Sequence, residues 1–165
     1  MQMYMKEDSD IQYITEELIA RLMRRAGESP RLRINHNFHP DMESNPHRFL
    51  NVMLRGTYIA PHRHLNPPKA ESFLVLRGEV AFFLFDEEGR VTRKSVLGTG
   101  PRCEGLGIDI APGYWHTLVV LSESVVCYEV KPGPYRPQDD KEFAPWAPRE
   151  GDPEQENYLK LLLSE

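Results

Sequence analysis

From Arg31 to His39 the chain changes sides at every residue: Leu32, Ile34, His36 and Phe38 alternate with Arg33, Asn35, Asn37 and His39. A period of two belongs to a strand with one buried face. Four further strand-like runs follow, at 49–60, 72–85, 106–111 continued by 115–121, and 125–130. Asp86-Glu87-Glu88-Gly89 reads as a hairpin tip, while 41–47, Pro67-Pro68 and Ser122-Glu123-Ser124 read as loops. Several short strands punctuated in this way predict a small sandwich or barrel.

The two ends read differently. Thr15 is placed to cap a helix whose apolar residues Ile14, Leu18, Ile19, Leu22, Met23 and Ala26 recur at helical spacing, with Gly27 as its stop. At the far end, Asp152-Pro153 offers a cap and a first helical residue, and Tyr158, Leu159, Leu162 and Leu163 form the expected docking face. The stretch 131–153 carries six of the 14 prolines, yet Tyr135, Phe143 and Trp146 interrupt it, which predicts an arm lying extended on the surface. The expected organisation is one domain: an N-terminal helical segment (1–30), a barrel (31–131), and the arm with its closing helix (132–165).

With 165 residues, 40% of them hydrophobic, the chain is long enough for one substantial core without disulfides. Cys103 and Cys127 are too few for a disulfide scaffold and show no ligand spacing. No signal-peptide pattern is read at the start, so a cytoplasmic location is expected. No apolar run approaches the ~20 residues of a membrane helix. A net charge of -5 without a basic patch argues against a nucleic-acid partner. A small-molecule ligand remains, and strand edges that need covering predict a homodimer.

The candidate chemistry lies in His62, His64, Glu71 and His116. On an extended segment His62 and His64 point to the same face, roughly 6 to 7 Å apart, within reach of one ion. Glu71 is in phase with Phe73 and Val75, so its carboxylate shares an apolar face and needs a partner; a divalent cation supplies one and suits neutral imidazole. His116, after the Pro112-Gly113 turn, points inward with Leu118 and Val120. Each histidine taken alone also reads as a hydrogen-bonded core residue. Tyr58, in strand phase with His62, is either an acid or hydrogen-bond donor in the site or a packed tyrosine. His36 lies on the apolar face of its strand and reads either as a residue of the barrel mouth, beside Asn35 or Asn37, or as a satisfied core histidine. Glu129 and Lys131 are expected to be solvated strand residues, and His39 and His47 to be exposed in loops.

These residues fall into two motifs, Gly56-x5-His62-x-His64-x6-Glu71-x6-Gly78 and Gly105-x5-Ala111-Pro112-Gly113-x2-His116-x3-Val120. Together they resemble the cupin pair G-x5-H-x-H-x3-4-E-x6-G and G-x5-P-x-G-x2-H-x3-N. The loop before Glu71 is two or three residues longer than that pattern, Ala111 replaces its first proline and Val120 its asparagine. The run Arg33-Ile34-Asn35-His36-Asn37 and Lys131-Pro132-Gly133-Pro134-Tyr135 extend the similarity, more narrowly to the WbuC-type cupin-fold metalloproteins. The resemblance implies a mainly β fold, a single cupin jelly-roll barrel (double-stranded β-helix) with short N- and C-terminal helices. It also implies one divalent transition metal held by His62, His64, Glu71 and His116, with zinc, iron, manganese and nickel not distinguished by these ligands. The expected function is that of a metal-binding small-molecule enzyme acting on a sugar or sugar nucleotide, of isomerase or epimerase type, in surface-polysaccharide biosynthesis. Tyr58 and His36 are its acid/base candidates. The alternatives are a non-heme iron dioxygenase and a non-catalytic, metal-stabilised ligand-binding barrel.

Overall fold

The computed structural model describes residues 11–138 and 140–165, so residues 1–10 of the expected N-terminal segment lie outside it. Helix α1 (Glu16–Glu28) starts where Thr15 accepts a hydrogen bond from the Leu18 amide at 3.1 Å, the satisfaction of an orphan N–H that capping requires. It does not stop at Gly27. Glycine is tolerated one residue before the end, and the chain leaves the helix at Ser29, whose backbone is extended.

Among the described residues ten strands follow: β1 (Arg33–Asn37), β2 (His47–Leu54), β3 (His62–Arg63), β4 (Glu71–Arg77), β5 (Glu79–Phe85), β6 (Val91–Gly98), β7 (Gly107–Ile110), β8 (Trp115–Val120), β9 (Ser124–Lys131) and β10 (Glu142–Phe143). They form two five-stranded antiparallel sheets, ordered β1-β2-β9-β4-β7 and β10-β3-β8-β5-β6, the layout of a jelly roll. The run expected as one strand over 72–85 is two. Gly78, at φ 84°, turns the chain from one sheet into the other, and a Cβ there would lie 2.3 Å from the Ser124 carbonyl oxygen. Strand β6 escapes the sequence pattern because it is a polar edge strand, Val91-Thr92-Arg93-Lys94-Ser95, whose partner strand is β5.

The main core lies between the sheets and includes Met53, Phe73, Val80, Phe82, Leu118 and Val125. Each sheet is also covered from outside. Leu18, Ile19, Leu22 and Ala26 of α1 pack on Leu50, Val52 and Val126. Helix α2 (Gln155–Ser164) and the arm cover Ala81, Phe83, Phe85, Trp115 and Val119 through Leu162 and Ala144. Strands covered on both faces read as continuous apolar runs, which is why every residue of β8 is buried. Leu163, expected on the docking face, is half exposed, because Leu162 takes the inward position of the final turn.

The arm is part of the barrel as well as its cover. β10 pairs with β3, Phe143 standing opposite His62 and Glu142 opposite Arg63. Arg63 grips Glu142 through two hydrogen bonds of 3.0 and 2.8 Å and lies 4.1 Å over the Trp115 ring.

Candidate metal centre

Four side chains from three strands and one loop converge inside the barrel. His62 on β3 stands directly opposite His116 on β8, with ring centroids 4.5 Å apart, and His64 follows two residues on at 5.2 Å from His62. Glu71 opens β4 and reaches in from the other sheet. All four are buried, and one ligand atom from each lies within 4.8 Å of every other, a spacing suited to a single ion whose bonds are about 2 Å long.

The protons on the imidazoles are fixed by their neighbours. His62 Nδ1 faces the Ala60 carbonyl at 2.9 Å, His116 Nδ1 faces the Tyr114 carbonyl at 2.9 Å, and His64 Nδ1 faces the Asp140 carbonyl. A carbonyl oxygen only accepts, so each Nδ1 donates and carries the proton. Each Nε2 therefore offers a lone pair. Two of these point at the Glu71 carboxylate, His64 Nε2 at 3.0 Å from Oε1 and His116 Nε2 at 3.2 Å from Oε2. Three lone pairs and a carboxylate with no donor among them form an acceptor-only cluster, and the low-dielectric interior makes such a cluster costly without a cation. Imidazolium is a poor answer at His62, whose pKa burial pushes well below the ordinary value. The donor set of three neutral imidazoles and one carboxylate fits a divalent transition metal.

A buried charge network surrounds the cluster. Lys131 Nζ lies 3.6 Å from Glu71, 3.9 Å from Glu129 and 3.3 Å from Asp140, which in turn accepts from Lys69 Nζ at 3.2 Å. Burial alone would raise the Glu71 pKa; the close approach of His116 and His64 to its oxygens and the Lys131 charge outweigh that and hold it well below the carboxylate range. Glu129 goes the other way, pushed up to about 8 by burial, with the nearby Glu71 charge adding to the effect. Lys131 is raised despite its burial, because three carboxylates surround it.

Glu129 and Lys131 are thus not the solvated residues the alternation suggests. On β9 it is Val126 and Tyr128 that face outward, under α1, so the inner face carries Val125, Cys127, Glu129 and Lys131 and turns polar only where it meets the mouth. His39 and His47 are likewise buried, stacked with centroids 4.1 Å apart and planes 3° from parallel. His39 Nδ1 lies 3.0 Å from the Arg48 carbonyl and 3.1 Å from the Arg48 amide, which ties this loop inward.

The ligand cluster sits in a small chamber of about 50 Å³ that adjoins an outer cavity of about 650 Å³; Asn51, Ile59, Glu129 and Lys141 line both. Neither acid/base candidate reaches either space. The Tyr58 hydroxyl donates to the Pro148 carbonyl at 2.7 Å and its ring meets Tyr158 edge-on, so Tyr58 is a packing residue under the arm. His36 is on the α1 side of β1, where Arg21 and Arg25 lower its pKa after burial does; Asn35 and Asn37 are the residues of that strand that line the outer cavity. The pieces that the sequence pattern missed, Asp140 and Lys141, come from the proline-rich arm, which folds back across the mouth. Cys103 and Cys127 are free thiols away from the cluster, Cys127 in the main core. No helix among the described residues is long and apolar enough to cross a membrane.

Fold and site together define a jelly roll of cupin fold with a buried His/Glu cluster suited to a metal. The chain belongs to the family described as a domain of unknown function, DUF6016, whose model matches residues 14–97. A search of curated proteins gives no match. Among solved structures, the capsular polysaccharide assembling protein CapF from Staphylococcus aureus is similar with a TM-score of 0.52 and 23% identity, over 66% of this chain and 28% of CapF. An oxalate oxidase in complex with glycolate gives a TM-score of 0.52 at 14% identity, over 71% of this chain and 57% of the oxidase. TT1209 from Thermus thermophilus gives 0.52 at 15% identity, over 74% of this chain and 96% of that one. This chain spans under a third of CapF and little more than half of the oxidase, and at these identities the likeness is one of fold.

Proposed function

We propose that this protein is a divalent-metal-dependent enzyme of the WbuC type, acting on a sugar or sugar nucleotide by isomerisation or epimerisation in surface-polysaccharide biosynthesis. The observation that carries the metal is the acceptor-only convergence of His62, His64, His116 and Glu71, with every Nδ1 committed to a backbone carbonyl. When bound, the ion supplies Lewis-acid polarisation of a carbonyl or hydroxyl oxygen. Glu129 is the group we assign to proton exchange. It lines the chamber and the outer cavity alike, and a carboxyl poised at about 8 is matched to acid/base work near neutral pH. Asn51 Nδ2 lies 3.4 Å from Glu129 Oε2 and orients it. The outer cavity is within the size range of small-molecule sites and is lined by polar groups such as Arg33, Asn35 and Asn37, which supports a hydroxylated ligand. The name of CapF ties that protein to capsular polysaccharide, which is in keeping with this reading at the level of fold.

The test is elemental analysis of protein purified without added metal, paired with turnover of a sugar-nucleotide panel. His62→Ala is expected to lose both the ion and turnover. Full turnover in a metal-free preparation would overturn the proposal. A cytoplasmic homodimer is proposed with it: Leu74, Leu76 and Leu106 stand exposed at the β4/β7 side of the first sheet, an apolar edge that a second copy would cover.

A further inference from the structure

Lys141, half-buried, stands apart from the buried lysines Lys69 and Lys131. Lys69 and Lys131 each face Asp140 at close range, whereas among the described residues no hydrogen bond or ion pair engages the Lys141 ammonium. Its side chain lines both the ligand chamber and the outer cavity, at their junction. Burial and the like charge of Lys131 disfavour its charged form, against the pull of Glu71, Glu129 and Asp140, and an anion in direct contact favours it. Among the described residues no carboxylate forms an ion pair with Lys141: Asp140 faces Lys69 and Lys131, Glu71 and Glu129 face Lys131, and a divalent ion adds further positive charge. Asn51, at the same junction, keeps a buried Oδ1 with no donor.

Resting on the metal-site reading above, we propose that Lys141 is the anion-binding residue of the site, and that the ligand is a small hydroxylated oxyanion. Its carboxylate or phosphate meets Lys141 Nζ, and its neighbouring hydroxyl donates to Asn51 Oδ1. The chamber of about 50 Å³ admits only the head of such a molecule, and the body lies in the outer cavity. The arm therefore acts in recognition: by pairing β10 with β3 it sets Lys141 beside the strand that carries His62.

Calorimetric titration of the zinc-loaded full chain tests this with three probes: glycerate, its neutral amide glyceramide, and glycerol 3-phosphate. Losing a charge-assisted contact weakens binding by about tenfold to a hundredfold. Lys141→Gln is expected to lose that much for whichever oxyanion the wild type prefers, glycerate if the source is a carboxylate and glycerol 3-phosphate if it is a phosphate. Its glyceramide binding and zinc content should be unchanged, and Lys141→Arg should stay within a few-fold of wild type. Equal oxyanion affinity in Lys141→Gln at full zinc content, or an equal loss for glyceramide, overturns the assignment while leaving the metal reading intact. Absence of zinc uptake overturns the metal reading instead, and the same titrations on the metal-free chain then decide Lys141: the oxyanion-selective loss supports it and equal affinities reject it.

Discussion

Replacing Lys131 with methionine removes a cation that lies within 4 Å of three buried carboxylates. The side chain is 8% exposed and its ammonium sits 3.6 Å from Glu71, 3.9 Å from Glu129 and 3.3 Å from Asp140. Asp140 keeps Lys69 at 3.2 Å and Glu129, pushed up to about 8, is largely protonated at neutral pH, so the uncompensated charge falls on Glu71. Breaking a buried ion pair from one side costs about 3–5 kcal/mol. Against a total stability of about 5–15 kcal/mol, that is a large share, and it corresponds to a lowering of Tm by about 6–20 °C for a domain of this size. Urea unfolding of the metal-free full chain at neutral pH measures it directly. In zinc-loaded protein the loss should be smaller by at least ~1 kcal/mol, since the ion neutralises Glu71 and a neighbouring ammonium then partly repels it. A metal-free loss below about 1 kcal/mol, or one equally large with and without zinc, would refute this account of the network.

Three further outcomes follow from the same structure. In metal-free protein Glu129, raised from 4.5 to about 8, binds a proton in the folded state that the unfolded chain has released. Its contribution to stability is full below pH 4.5 and is lost as pH rises to about 8, whereas that of Glu71, whose pKa is lowered, is present above 4.5 and lost on acidification. Urea midpoints across that window should therefore fall less steeply with rising pH in Glu129→Gln, and an unchanged slope would count against the assignment. Tyr58→Phe should cost about 0.5–1.5 kcal/mol through its lost bond to Pro148 and leave metal content unaltered; depleted metal would return Tyr58 to the site. Light scattering should give twice the chain mass, and Leu74→Glu should shift it to the monomer; a monomeric wild type contradicts the proposed dimer.

The ligand cluster was legible because its information is local: His-x-His on an extended segment, a carboxylate in phase with Phe73, and a histidine after Pro-Gly each declare a face without knowledge of the fold. The barrel was legible for the same reason, from alternation and turn residues. What surrounds the cluster depends on which of two faces a strand turns inward, and on β9 both faces are apolar near Val125 and Val126, so the sequence pattern could not choose for Glu129 and Lys131. The presence of α1 over Val126 decides it. His36 was misplaced by the mirror of that error: its apolar neighbours Ile34 and Phe38 face the helix, not the barrel. Asp140 and Lys141 carry no periodic signal at all. They enter the site only because the arm returns to pair with β3, a long-range contact between residues about 80 positions apart that no local pattern encodes.

The central claim is that three particular imidazoles, each protonated at Nδ1, present Nε2 to one ion. Long-range 1H–15N correlation spectra of the six histidines, recorded as zinc is added to the metal-free chain, test it most directly. His62, His64 and His116 should keep Nδ1–H throughout and shift at Nε2 with one equivalent of zinc, while His36, His39 and His47 stay unmoved. Zinc that shifts the His39–His47 pair instead, that moves Nδ1, or that leaves all of the rings untouched would contradict it.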